Sequence, residues 1–248
     1  MGVASRFPPM VNTHQSNTAT ARDPRQGWPP IHEADPSTLE AAPAPVEDSV
    51  AETGTTVVGL TTADGVVMAA DRRASVGGRL VTNKRTQKVE QLHPTAAAAL
   101  SGAVGHIQQF VRVLRAEARL YENRRSEDLT MTALATLAGN VLRSAPLQVT
   151  PLLGGVDEDG GHVFSLDGGG GVLSDSYAAG GSGMQLAYGV LEQHFEDDLT
   201  AEAGRSVAAQ AIASASERDT ASGNGLTVAT ITSEGVAFDE FDGVSEVA

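Results

Sequence analysis

The chain has no cysteine among its 248 residues. That absence excludes disulfides, cysteine nucleophiles and thiolate metal sites, and it gives no support to a secreted protein. Positive charge is also scarce, with 17 Lys and Arg against 31 Asp and Glu and a net charge of -14. Nucleic-acid binding needs a basic footprint, so the balance argues against that class. The acidity reads as a solubility device, of the kind a high-salt proteome would show. No apolar run is long enough to span a bilayer. The N-terminus lacks the basic stretch and apolar segment of a signal peptide. A cytoplasmic protein with no membrane contact is therefore expected. The six histidines lack metal-ligand spacing, so no metal or other cofactor is expected.

Proline and glycine are unevenly spread. Residues 1 to 54 hold eight of the eleven prolines but three of the 27 glycines, and they show no sustained hydrophobic period. This composition reads as a largely disordered segment. From Thr55 the texture changes. Val57 to Thr62 and Val66 to Ala70 are apolar, strand-like runs around Asp64-Gly65, a strong hairpin signal. A two-residue turn there sets Asp71 roughly opposite Val58 and brings it near Thr55. Thr95 to Leu100 reads as a buried strand.

Helical spacing then takes over. Ile107, Phe110, Val111, Leu114, Ala118 and Tyr121 predict a helix from about 104 to 124, and Leu134, Leu137, Ala138, Val141 and Leu142 predict another over 131 to 144. Strands return at 150–156 and 162–167. Two more helices are expected, one opening near Ser182 as N-cap and one after Thr200. A hairpin over 226–232 and 236–238 closes the chain. Helix pairs between strand groups do not make a doubly wound sheet. An α+β fold with two packed sheets and helix pairs outside would bury every apolar face.

The Gly54-Thr55 junction carries the chemistry. A cut there gives a terminal threonine, whose α-amine can serve as base for its own hydroxyl. Other candidates are weak one by one. Asp71-Arg-Arg-Ala-Ser75 follows the second strand and would ordinarily be a solvated strand end. Lys84-Arg-Thr-Gln-Lys88 would ordinarily be a solvated loop. Arg218-Asp-Thr-Ala-Ser-Gly223 would be a helix stop. Gly168 to Gly171 lacks the Lys-Ser/Thr of a phosphate loop and reads as a turn. Gly180-Gly-Ser-Gly-Met184 lacks the last glycine of a nucleophile elbow.

Together these segments resemble the β-type subunit of the archaeal 20S proteasome. The Gly54-Thr55 point, Asp71 to Ser75, Lys88, Ser101-Gly102, Tyr177 to Gly183 and Arg218 to Gly223 occur in that family's order, and the likeness spans Thr55 to Phe238. The resemblance implies the four-layer αββα sandwich of N-terminal nucleophile hydrolases. It implies a propeptide over 1–54, removed by self-cleavage, and a mature catalytic domain over 55–248. It places Thr55 as nucleophile, Gly102 as the backbone oxyanion donor, and Asp71, Lys88, Ser182, Asp219 and Ser222 in the catalytic cluster. The loop from Asp71 to Lys88 is one residue longer than the family's pattern, which makes Lys84 and Arg85 rival cations, but the following Val-Glu-Gln-Leu favours Lys88. Ala74, Ser75, Leu100 and Val104 are expected to line an apolar pocket selecting hydrophobic residues, with Glu90 nearby.

By the same resemblance, the partners are α subunits and other β subunits in stacked seven-membered rings forming a 28-subunit core. An AAA-type ATPase would feed unfolded proteins to it. The acidity and missing cysteines suit a haloarchaeal cytoplasm. Two rival readings are the threonine peptidase of the bacterial two-component ATP-dependent protease and an inactive ring subunit. The Arg-Asp-x-x-Ser-Gly ending disfavours the first, and the retained threonine and lysine disfavour the second.

Overall fold

A computed structural model describes residues 54–247. The expected disordered segment lies outside the described residues except for Gly54. Among the described residues, twelve strands and four α-helices follow in chain order. The first two strands, β1 (Thr56–Thr62) and β2 (Gly65–Asp71), form the expected hairpin. Short strands β3 (Ala74–Val76) and β4 (Leu80–Asn83) make a separate pair. Next come β5 (Val89–His93) and β6 (Ala96–Gly102), then α1 (Val104–Arg125) and α2 (Met131–Ser144). Strands β7 (Val149–Asp157), β8 (Gly160–Leu166), β9 (Val172–Asp175) and β10 (Tyr177–Gly181) precede α3 (Met184–His194) and α4 (Ala201–Arg218). The last hairpin is β11 (Leu226–Thr232) and β12 (Gly235–Phe241).

The strands sort into two five-stranded sheets, β10-β1-β2-β11-β12 and β5-β6-β7-β8-β9. Period-two alternation explains how they stack. On β2, Val66, Met68 and Ala70 join Ala97 and Ala99 of β6 in a core between the sheets. The alternate residues Val67 and Ala69 turn outward to meet Leu191, Ala208 and Ile212 of α3 and α4. On β6, Ala96, Ala98 and Leu100 turn the other way, toward Phe110, Leu114, Leu134 and Ala138 of α1 and α2. Three cores separating four layers give the αββα sandwich expected from the helix pairs.

Several local expectations need correction. The β1–β2 turn is Ala63-Asp64, because Gly65 pairs with Thr62. Gly65 is needed within the strand: a Cβ there would lie 2.0 Å from the Ile231 carbonyl oxygen of β11. Asp71 therefore faces Thr56 rather than Val58. Ser182 does not cap α3; Gly183 holds the N-cap position, without a side-chain hydrogen bond. Thr200 does cap α4, accepting from Ala203 N–H. Strands β3, β4, β5, β9 and β10 carried no sequence signal. The outer edge strand β9 is exposed throughout, and β10 is rich in small residues, so neither shows a clear apolar alternation.

Helix α2 is held from outside its own segment. Thr130 caps it through Ala133 N–H, while Met131 N–H donates to Asp157 Oδ2 at 2.7 Å. Burial pushes the Asp157 carboxyl up, but bonds from Met131 N–H, His162 and Asp159 N–H outweigh it and hold the group below its ordinary value. Its stabilisation is then present above the unfolded pKa of about 3.9 and is lost as pH falls through the lower folded value. Asp157→Ala should cost about 1–2 kcal/mol at neutral pH, the usual scale for a lost helix cap. Melting curves of the purified chain check this, and the deficit should shrink in acid.

Candidate active site

The start of β1 lies between the ends of three other elements. Thr55 and Thr56 are 3% and 0% exposed. Thr56 pairs with Gly181 of β10 on one side, while its N–H donates to Asp71 Oδ1, at the end of β2, at 2.9 Å. Asp71 is fully buried, and its other oxygen accepts from Arg73 N–H at 3.0 Å and Gly223 N–H at 2.9 Å. One carboxylate thus ties the start of β1 to the loop after α4.

Lys88 enters from the residue before β5 and is 5% exposed. Its Nζ donates to Asp71 Oδ1 at 2.7 Å and to the Gly54 carbonyl oxygen at 3.2 Å. The rival cations Lys84 and Arg85 are exposed. Burial pushes the Lys88 ammonium below its ordinary value and the Asp71 carboxyl above its own, while their mutual attraction opposes both shifts. A lysine poised this way can exchange a proton at lower cost than one in water.

The Gly54 carbonyl is the focus of the site. Thr55 Oγ1 donates to it at 2.7 Å, so two donors converge on one peptide oxygen. Only glycine fits at 54, because a Cβ there would lie 1.6 Å from Ala221 Cβ. The nitrogen of the same bond, Thr55 N–H, donates to Ser182 Oγ at 3.2 Å. Ser182 passes its own proton to Asp219 Oδ2 at 2.6 Å, and Ser222 Oγ donates to the same oxygen at 2.6 Å. Asp219 is the C-cap residue of α4 and steadies its loop by accepting from Ala221 N–H at 3.1 Å. The arrangement can polarise a carbonyl, receive a proton and hold an amine.

Thr55, Asp71, Lys88, Ser182, Asp219 and Ser222 therefore meet around the Gly54–Thr55 bond. Gly102 ends β6, two residues beyond Leu100, whose N–H bonds to the Lys88 carbonyl oxygen at 2.8 Å. Its φ of 134° is a conformation side chains rarely adopt. The pocket residues are dispersed: Ala74 and Ser75 lie on β3, and Val104 is exposed at the start of α1. Leu100 is 1% exposed and packs in the core under α1 and α2. Glu90 is paired with Arg115 at 3.0 Å.

Thr56 and Arg73 also belong to this neighbourhood. Thr56 Oγ1 is 2.7 Å from Ser222 Oγ, and because Ser222 donates to Asp219, Thr56 supplies the proton between them. Arg73 donates through Nε to Asn224 Oδ1 at 2.9 Å and through Nη1 to the Thr220 carbonyl at 2.8 Å, clamping the loop after α4. A hydroxyl directly after Thr55 is the one sequence sign of the Thr56 contact. In the sequence, Arg73 is one more charge at a strand end.

A family model described as "Proteasome subunit" matches residues 51–231. The chain is 56% identical over 200 residues to "Proteasome subunit beta" of Halorhabdus utahensis, covering 80% of this chain and 86% of the relative. It is 58% identical over 199 residues to the protein of that name in Halobacterium salinarum, covering 79% and 82%. With its namesake in Natronomonas pharaonis it shares 50% identity over 228 residues, 92% of each chain.

Proposed function

Because this chain belongs to the proteasome β-subunit family and is a β subunit of the proteasome core, we propose that it is a threonine endopeptidase that frees its own nucleophile by cutting the Gly54–Thr55 bond. The observation that carries this is the convergence of Thr55 Oγ1 and Lys88 Nζ on the Gly54 carbonyl oxygen.

While Thr55 N is an amide it cannot act as base. Lys88 Nζ bonds to the same carbonyl oxygen as the Thr55 hydroxyl. In its neutral form, which burial favours, it can take the hydroxyl proton and become the ammonium that Asp71 holds at 2.7 Å. Thr55 Oγ then adds to the Gly54 carbonyl carbon. The C–N bond breaks, the proton passes to the departing amine, and an ester remains for water to hydrolyse. Residues 1–54 leave as a propeptide.

The mature terminus repeats the attack on other chains. Its α-amine, ordinarily titrating near 7.7–8.0, becomes the base, and the Lys88 charge favours the amine's neutral form. Ser182 orients that amine through the hydrogen bond it already accepts from Thr55 N–H, and Asp219, bonded to both Ser182 and Ser222, fixes Ser182 in place. Gly102 N–H stabilises the oxyanion, a contribution of roughly 3–4 kcal/mol for one such donor in serine proteases. An acyl-enzyme forms and water releases the second product. A preference for cleavage after hydrophobic residues is part of the same proposal and rests on the apolar side chains of Ala74 and Val104, since Ser75 is polar and Leu100 is packed in the core.

The family assigns this chain to the core particle with other subunits. We extend that to stacked seven-membered rings of α and β subunits, 28 in all, fed with unfolded proteins by an AAA-type ATPase in the cytoplasm. N-terminal sequencing of the chain purified with its α partner tests the self-cleavage. The expected first residue is Thr55. An intact chain with full peptidase activity would rule the mechanism out.

A further inference from the structure

We propose that His106 is a positioning residue for the oxyanion donor, an inference that rests on the assignment of Gly102 to that role. His106 lies in the first turn of α1, half-buried, and its Nδ1 accepts from Gln148 N–H at 3.0 Å. Nδ1 is therefore the ring nitrogen that serves as acceptor. Gln148 is gripped from its other end as well, because its carbonyl oxygen accepts from Ala103 N–H at 3.0 Å.

That carbonyl forms the back wall of Gly102. A Cβ on Gly102 would lie 2.1 Å from the Gln148 oxygen, so the two backbones touch with nothing between them. Gly102 is also paired with Val149, the next residue. Its preceding residue, Ser101, is tied through its hydroxyl to Thr150. The segment 148–150 therefore sets where the Ser101–Gly102 peptide lies. Among the described residues, the His106 bond is the support that a side chain from another element makes to Gln148. It joins the first turn of α1 to the start of β7 across the strand end that carries Gly102.

Oxyanion stabilisation depends on donor placement, and an error of about 1 Å can cost on the order of 10²-fold in rate. Loss of the His106 acceptor frees Gln148 N–H and relaxes the wall behind Gly102. The ground-state pocket is not touched, so kcat should fall while KM stays.

A pair of variants differing by one methylene tests this in the assembled particle. The Oδ1 of His106→Asn falls near the Nδ1 position and keeps the acceptor, whereas the oxygen of His106→Gln lies one bond further out. With a short fluorogenic peptide, His106→Gln should lower kcat about fivefold to tenfold at unchanged KM. His106→Asn should stay within about twofold of the parent. Affinity for a peptide aldehyde, whose hemiacetal oxygen occupies the oxyanion position, should fall with kcat in His106→Gln. Should that variant not assemble, His106→Ala is read in the same way. Equal losses in the Asn and Gln variants, or a change confined to KM, would overturn the assignment. If Thr55→Ala is inactive but His106→Gln keeps its kcat, only the His106 inference fails. If Thr55→Ala still hydrolyses the peptide, the parent reading fails first.

Discussion

Thr55→Ala is expected to leave residues 1–54 attached and to reduce peptide hydrolysis by on the order of 10⁴-fold or more, the scale seen when a protease loses its nucleophile. The substitution removes one hydroxyl and one methyl from a residue that is already 3% exposed. The hydrogen bond lost is the one Thr55 Oγ1 donates to the Gly54 carbonyl. Lys88 still donates to that carbonyl, and Thr55 N–H to Ser182, so the surrounding site keeps its partners. The variant should therefore assemble normally, and the loss can be assigned to chemistry. Thr55→Ser, which keeps the hydroxyl, should retain self-cleavage. Intact mass of the purified chain and turnover of a short peptide are the measurements. An alanine variant that starts at residue 55, or that turns over peptide normally, removes Thr55 from the mechanism.

The other large effect is expected at Lys88. Lys88→Ala should abolish self-cleavage and lower hydrolysis by the mature terminus by about 10³-fold, the scale of a lost electrostatic group at the reacting atoms. It should also destabilise the chain, because Asp71 would remain buried with three backbone N–H donors and no countercharge. Removing one partner of a buried pair typically costs about 3–5 kcal/mol. Two effects in one variant must be separated. In Lys88→Met with Asp71→Asn neither charge remains, but the Asn amide nitrogen faces Thr56 N–H, so stability should return in part while activity does not. Thermal melting and peptide turnover, measured on particles whose β chain is produced starting at Thr55, read the two independently. Recovery of activity in the double variant would show that Lys88 acts only through folding.

Much of the fold could be read from period alone. The apolar stripes of α1 and α2 predict their spans to within a residue, because each helix buries one face and leaves the other polar. The exposed and small-residue strands could not be read. Asp71 shows the limit most clearly: as sequence it is the first charge of a strand end, yet it is fully buried and accepts four hydrogen bonds. Its burial is imposed by Gly223 and Lys88, which are remote along the chain.

The sequence by itself determined the layered architecture, the Gly54-Thr55 junction and the order of motifs around it, since these depend on local period, turn chemistry and residue type. Only the tertiary structure decided that Lys88 bonds to the Gly54 carbonyl itself, why position 54 must be glycine, and that Ser182 serves Asp219 and Thr55 N–H rather than the helix behind it. Thr56, Arg73 and His106 likewise became visible only in three dimensions. Each acts through a hydrogen bond whose partner lies 42 or more residues away, and hydrophobic periodicity carries no record of such pairs.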